Sequence, residues 1–368
     1  MRLHLITAAA SSVIILSVAQ LSLAQALPGY TQTNLVSDLA SENPAHLDPN
    51  LLNPWGISES SGSPFWLADN GDGKSTLYNT SGTQQSTVVS IAGPGGTGTG
   101  APTGTVNNGT STAFNGDNFL FDTEDGTLYG WRGALGSSAQ LLVDNSATGA
   151  AYKGLAIATV SGSAYAYGAD FTLGRIDVFP GTASNPALTG NFTDPNLPVG
   201  YGPFNIQNLG GKLYVTYAKQ SGGLDEIDGP GLGVVDVFDT SGNFLQRLVT
   251  GGALNGPWGL ALAPASFGAA GGDLLVGNFG DGMINVFNPT TGAMVGTLAD
   301  ANSTPIANDG LWALQFGNGG NGGVASTLYL TAGLNGEADG LFASISIPEP
   351  ASLLLLAALP LCLSRRRI

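Results

Sequence analysis

The chain has 368 residues, with 26 Asp and Glu against 11 Lys and Arg, a formal net charge of −15 at pH 7, two His and one Cys. The acidic balance argues against nucleic acid as a partner. A lone cysteine excludes an internal disulfide, and two histidines leave little from which to build a zinc site or a histidine-based triad.

In chain order, Arg2, the apolar stretch from Leu5 to Leu23 and the small-x-small run Ala24-Gln25-Ala26 have the arrangement of a secretory signal. Residues 1–26 are therefore expected to be a signal peptide, cut by signal peptidase after Ala24 or Ala26. His4 leaves with it, and His46 is then the one histidine of the mature chain. His46 stands between Glu42 and Asp48 within the Pro-rich link Asn43 to Pro54, where a solvated loop residue is expected rather than a general base. Before that link, Tyr30 to Val36 alternates like a strand.

From Asn53 onward a unit of about fifty residues recurs. It opens on an aromatic-glycine segment: Asn53-Pro54-Trp55-Gly56-Ile57, Tyr152-Lys153-Gly154-Leu155, Gly202-Pro203-Phe204-Asn205-Ile206, Gly256-Pro257-Trp258-Gly259-Leu260 and Gly310-Leu311-Trp312-Ala313-Leu314. Phe204, Trp258 and Trp312 are spaced 54 residues apart, and a degenerate copy is placed at Thr112 to Asn115. Each segment precedes a second strand, such as Phe65 to Ala68 or Lys212 to Tyr217, and a third, such as Arg175 to Phe179 or Val234 to Phe238. In the third strands Ile176/Val178, Val235/Val237 and Ile284/Val286 share one face, and Asp177, Asp236 and Asn285 the other, as expected of half-buried strands. Turns such as Asp239-Thr240-Ser241-Gly242 lead to a fourth strand, Phe244 to Val249 or Ala293 to Leu298. Six such units predict an all-β, six-bladed β-propeller with four-stranded antiparallel blades over residues 27–345. The sixth unit stops after its third strand, so the N-terminal strand Tyr30 to Val36 is expected to complete the last blade and cover its edge.

The Gly-rich stretches Gly93 to Gly109 and Gly317 to Gly323 are read as surface loops. Asp69-Asn70-Gly71-Asp72-Gly73 and Asp225-Glu226-Ile227-Asp228-Gly229 lack the ligand spacing of a calcium loop and are read as turns. Trp55, Trp258 and Trp312 are expected to pack between blades, with a ligand pocket as the alternative. Asn53, Asn205, Asn255 and Asp309 lie within three residues of the repeated segments and are the channel-mouth candidates for a hard cation such as calcium. The competing expectation is that they cap turns, with no cofactor bound.

The C-terminus reads Ile347-Pro348-Glu349-Pro350, an apolar run from Ala351 to Leu363, then Arg365-Arg366-Arg367. Thirteen residues of helix reach only about 20 Å against about 30 Å of hydrocarbon, and the arginines favour the cytoplasmic side. Tripeptide, apolar helix and basic cluster resemble, in that order, a PEP-CTERM sorting signal. The resemblance implies processing of residues 346–368 by an exosortase, transient inner-membrane anchoring, and delivery to the cell envelope or outside. Without both ends the chain carries 7 basic against 25 acidic residues, a balance of −18. The repeats over Tyr30 to Ile345 resemble a family of exported bacterial propellers with no assigned activity, and more distantly NHL-type binding blades. The expected function is thus a non-catalytic binding or structural propeller whose partner is an exopolysaccharide or an envelope protein. The alternative is a divalent-metal-dependent lactonase or other hydrolase at the channel mouth, the activity that six-bladed lactonase-type propellers imply.

Overall fold

Six antiparallel sheets follow one another along the chain in a computed structural model that describes residues 25–348. Their innermost strands are Pro54–Ser58, Pro102–Asn107, Tyr152–Val160, Tyr201–Leu209, Pro257–Leu262 and Leu311–Phe316. From the axis outward the strands of each blade pair in sequence order, except that blades five and six take outer strands from the N-terminus, and consecutive inner strands pack against one another, the sixth returning to the first. The molecule is a six-bladed β-propeller. The sorting residues Glu349, Pro350, Arg365, Arg366 and Arg367 and most of the signal segment lie outside the described residues, whereas Pro348 ends them, exposed.

The ring closes as the alternation of the N-terminal strand demands. Thr31–Ser37 pairs antiparallel with Asp339–Ser346, from Thr31 opposite Ser346 to Ser37 opposite Leu341. His46–Leu47 adds a short parallel strand outside it, which places His46 exposed on the rim, away from the axis. Gln25 and Leu27 extend the ladder of blade five: Ala26–Leu27 runs parallel to Thr297–Leu298. Blade three has a three-stranded sheet. The run 181–200 lies outside it, interrupted by Pro186, Pro195 and Pro198, which lack the N–H a ladder requires. Phe192 from that run is buried against Tyr167 and Phe238 and so joins blades three and four.

Blade two corrects the sequence reading. Its inner strand is Pro102–Asn107, inside the stretch Gly93 to Gly109 expected to be a loop, while Thr112 to Asn115 forms a connection with a single turn at Phe114–Gly116. The reason is space at the axis. A Cβ on Gly104 would lie 2.2 Å from the Leu155 backbone nitrogen, and one on Gly56 2.7 Å from the Thr103 carbonyl oxygen. Small residues are required there, so low apolar content signals close approach of two strands rather than solvation.

The third strands are also more enclosed than expected. Asp236 and Asn285 are as buried as the valines beside them, because in the ring a blade has neighbours on both faces. Burial, the nearby Asp194 carboxylate and the limited relief from Arg247 push the Asp236 carboxyl up to about 8.

A glycine scan of this stretch separates packing from flexibility. Gly104→Ala is expected to lower stability by about 2–4 kcal/mol through overpacking of blades two and three. Gly109→Ala, with open space around it, should stay within about 0.5 kcal/mol. Urea unfolding of the two variants distinguishes them; equal effects would contradict the close-packed axis.

Candidate functional site

Each inner strand carries a bulge at the same place, between Pro54 and Ile57, Pro102 and Thr105, Tyr152 and Leu155, Pro203 and Asn205, Pro257 and Gly259, and Leu311 and Leu314. A bulge bends its strand and re-aims a side chain, and the residues concerned meet at the axis. Trp55 stacks on Trp312 with ring centroids 3.6 Å apart, and Trp258 stands edge-on to both at 6.3 and 5.7 Å. Phe204 and Phe279 close around Trp312 at 5.9 and 4.3 Å. The tryptophans therefore pack between blades, as expected, and they do so at the axis, where together they plug the ring. Two of the three indole nitrogens are tied across it: Trp258 Nε1 donates to the Lys153 carbonyl at 2.8 Å, and Trp312 Nε1 to Asn53 Oδ1 at 3.0 Å.

Blade three puts a lysine where blades one, five and six put tryptophan. Lys153 is buried, its ammonium 5.0 Å from the Trp55 ring centroid and 5.9 Å from that of Phe171, a cation over aromatic faces. Its Nζ lies 2.5 Å from Glu124 Oε1. The connections between second and third strands bring further carboxyls to this mouth. Glu337 Oε2 accepts from Asn53 Nδ2 at 2.8 Å, and Glu124 Oε2 from Asn70 Nδ2 at 2.9 Å. Burial raises Glu226 to about 7 and Glu337 above the usual carboxylate range, and Lys153 only partly offsets both shifts. One ammonium thus faces three carboxyl groups, and two of these hold their protons into a higher pH range than an exposed glutamate would. Glu337 has φ 70° and lies two residues after Asn335 at φ 54°, backbone values that an L-residue keeps only where its surroundings impose them.

The four candidates read from sequence do not converge. Asn53 is at the mouth, but its oxygen serves Trp312. Asn255 Oδ1 accepts from the Gly229 N–H at 2.6 Å, and its Nδ2 reaches Asp281 at 3.3 Å. Asp309 is exposed and accepts from the Asn335 N–H at 3.1 Å. Asn205 follows its aromatic residue, Phe204, whereas the other three precede theirs, and it lies beyond the plug, where Nδ2 donates to the Trp258 carbonyl at 2.8 Å and Oδ1 accepts from its neighbour Ile206. Among the described residues no three or more His, Cys, Asp or Glu are arranged to hold a metal ion. Sequence reading missed Lys153, Glu124, Glu226 and Glu337 as a group. Lys153 was visible as a cation at an aromatic repeat position; the acids sit in connections of unequal length that the repeat does not align.

Two variants test this electrostatic arrangement. Lys153→Met should cost about 2–3 kcal/mol by leaving the half-buried Glu124 carboxyl without its cation, and adding Glu124→Gln should recover much of it; additive losses in a double-mutant unfolding cycle would contradict the pairing. Glu226 has a folded pKa raised above the ordinary 4.5, so its contribution is fully present below 4.5 and lost as pH rises through about 7. Glu226→Gln should therefore melt higher than wild type at pH 8 and match it near pH 4.

No family model matches the chain. Two proteins of Acanthamoeba polyphaga mimivirus are similar along most of it: "Uncharacterized protein R648", 33% identical over 321 residues covering 82% of this chain and 76% of that protein, and "Uncharacterized protein L690", 32% identical over 322 residues covering 82% of each. These relatives are viral and do not carry the bacterial origin that the repeats suggested. Among solved structures, the soluble aldose sugar dehydrogenase from Escherichia coli in its apo form aligns with a TM-score of 0.52 at 11% identity, over 86% of this chain and 99% of that one, a likeness of fold alone. Identity of a third over four fifths of its length places the chain in one family with the two mimivirus proteins.

Proposed function

We propose that the chain is an exported, non-catalytic binding propeller that presents its acidic mouth to an envelope protein or an extracellular polysaccharide, delivered by its N-terminal signal and an exosortase-processed PEP-CTERM tail. The observation that carries the binding reading is the floor of the mouth: interlocked tryptophans close the axis, and the one ammonium there is committed to Glu124 and the rings of Trp55 and Phe171. Its nitrogen and the neighbouring amides are engaged in holding the ring together, which suits a rigid recognition surface. Export rests on the order of residues at the two ends. A partner for this face is uncharged or basic, because the uncompensated carboxyls repel a polyanion.

The second reading, a metal-dependent lactonase or other hydrolase, draws on the excess of carboxyl over ammonium groups at the mouth. Lys153 supplies internally the positive charge a metal would bring. Calcium titration followed by thermal melting separates the two, since a specifically bound cation must raise the melting temperature. The binding reading expects no rise at millimolar calcium, together with salt-sensitive co-sedimentation of the purified protein with isolated envelope. A rise accompanied by lactone hydrolysis, or no association with any envelope or polysaccharide fraction, would overturn it.

A further inference from the structure

Beyond the plug, on the face away from Lys153, the inner strands surround a second chamber of about 340 Å³. Trp258 belongs to its wall, with Glu59, Thr105, Asn107, Gln207, Asn208 and Gln315. The volume suits a molecule the size of a monosaccharide. Its chemistry is rich in acceptors. Asn107 and Asn208 each donate one amide hydrogen to a carbonyl, of Asn118 and Ile157 respectively, at 2.9 Å, which fixes both side chains and leaves each side-chain oxygen as an acceptor beside one remaining N–H. Gln315 Nε2 donates to Glu59 Oε1 at 3.1 Å, while Glu59 Oε2 is buried with no partner. None of the lining residues is a cation. A desolvated carboxyl oxygen without donor or countercharge is costly, and a ligand that brings both removes that cost.

We propose that this chamber binds a small polyol bearing a protonated amine, such as an amino sugar, with the ammonium seated on Glu59 and the hydroxyls donating to the surrounding amide oxygens. The site is on the opposite face from the mouth and is independent of the function assigned to that mouth. Calorimetric titration of the purified protein at pH 7.5 with glucosamine, glucose and N-acetylglucosamine tests it. Glucosamine should bind at least tenfold more tightly than the two neutral sugars. Glu59→Gln should abolish the preference, and Glu226→Gln at the mouth should keep it. The wild type gives a readout that does not depend on any variant folding. Burial raises Glu59 to about 7, so the preference should fall severalfold from pH 7.5 to 6. Of the groups packed on Glu59, Gln315 and Gly322 carry no charge, and Tyr329, raised above its usual value mainly by burial, stays protonated throughout. Equal affinity for glucosamine and glucose, a preference that survives Glu59→Gln, or one lost in Glu226→Gln would overturn the assignment.

Discussion

Six strands can converge on one axis only if their side chains there are either absent or shared. The chain does both. Gly56, Gly104, Gly154 and Gly259 let neighbouring strands touch, and the residues before them, Trp55, Thr103, Lys153 and Trp258, fill the remaining hole together with Phe204 and Trp312 from the other two blades. Aromatic pairs in such geometry contribute about 0.5–1.5 kcal/mol each beyond their buried area. The bulge repeated in all six inner strands is what aims these side chains inward.

The plug also decides the electrostatics. It divides the axis into a mouth, where charges are partly matched around Lys153, and a chamber, where Glu59 has no countercharge. Short polar links stitch the blades at the same level: Thr103 Oγ1 to the Tyr152 carbonyl at 2.8 Å, Asn205 Nδ2 to the Trp258 carbonyl at 2.8 Å and Thr331 Oγ1 to the Trp55 carbonyl at 2.5 Å. Buried polar groups satisfied across an interface fix its register more than they add to net stability. The two ends of the axis are therefore shaped by residues whose first task is to hold the ring.

Much of this was legible in the sequence wherever the repeat was written in large side chains. The aromatic-glycine segments located five of the six inner strands, and the alternation of Tyr30 to Val36 found the strand that closes the ring. The inner strand of blade two was not legible, because Pro102-Thr103-Gly104-Thr105 has no aromatic residue: Thr103 bonds to Asp122 and the Tyr152 carbonyl in place of stacking. The candidate site was legible only in part. Asn53 and Asn255 were placed near the mouth, but polar residues beside a repeat do not reveal which atoms they serve, and here Trp312 and Gly229 claim them. The carboxyls around Lys153 come from connections that differ in every blade, where period carries no information.

Contact around the axis, closed by the N-terminal strand, holds the blades as one cooperative unit. Native-state hydrogen exchange by mass spectrometry in increasing urea tests it most directly. Peptides covering 31–37, 54–58, 102–107 and 311–316 should lose protection at a common urea concentration, equal to that of global unfolding. Early, independent exchange of 31–37 together with 339–346, while the other inner strands remain protected, would contradict it.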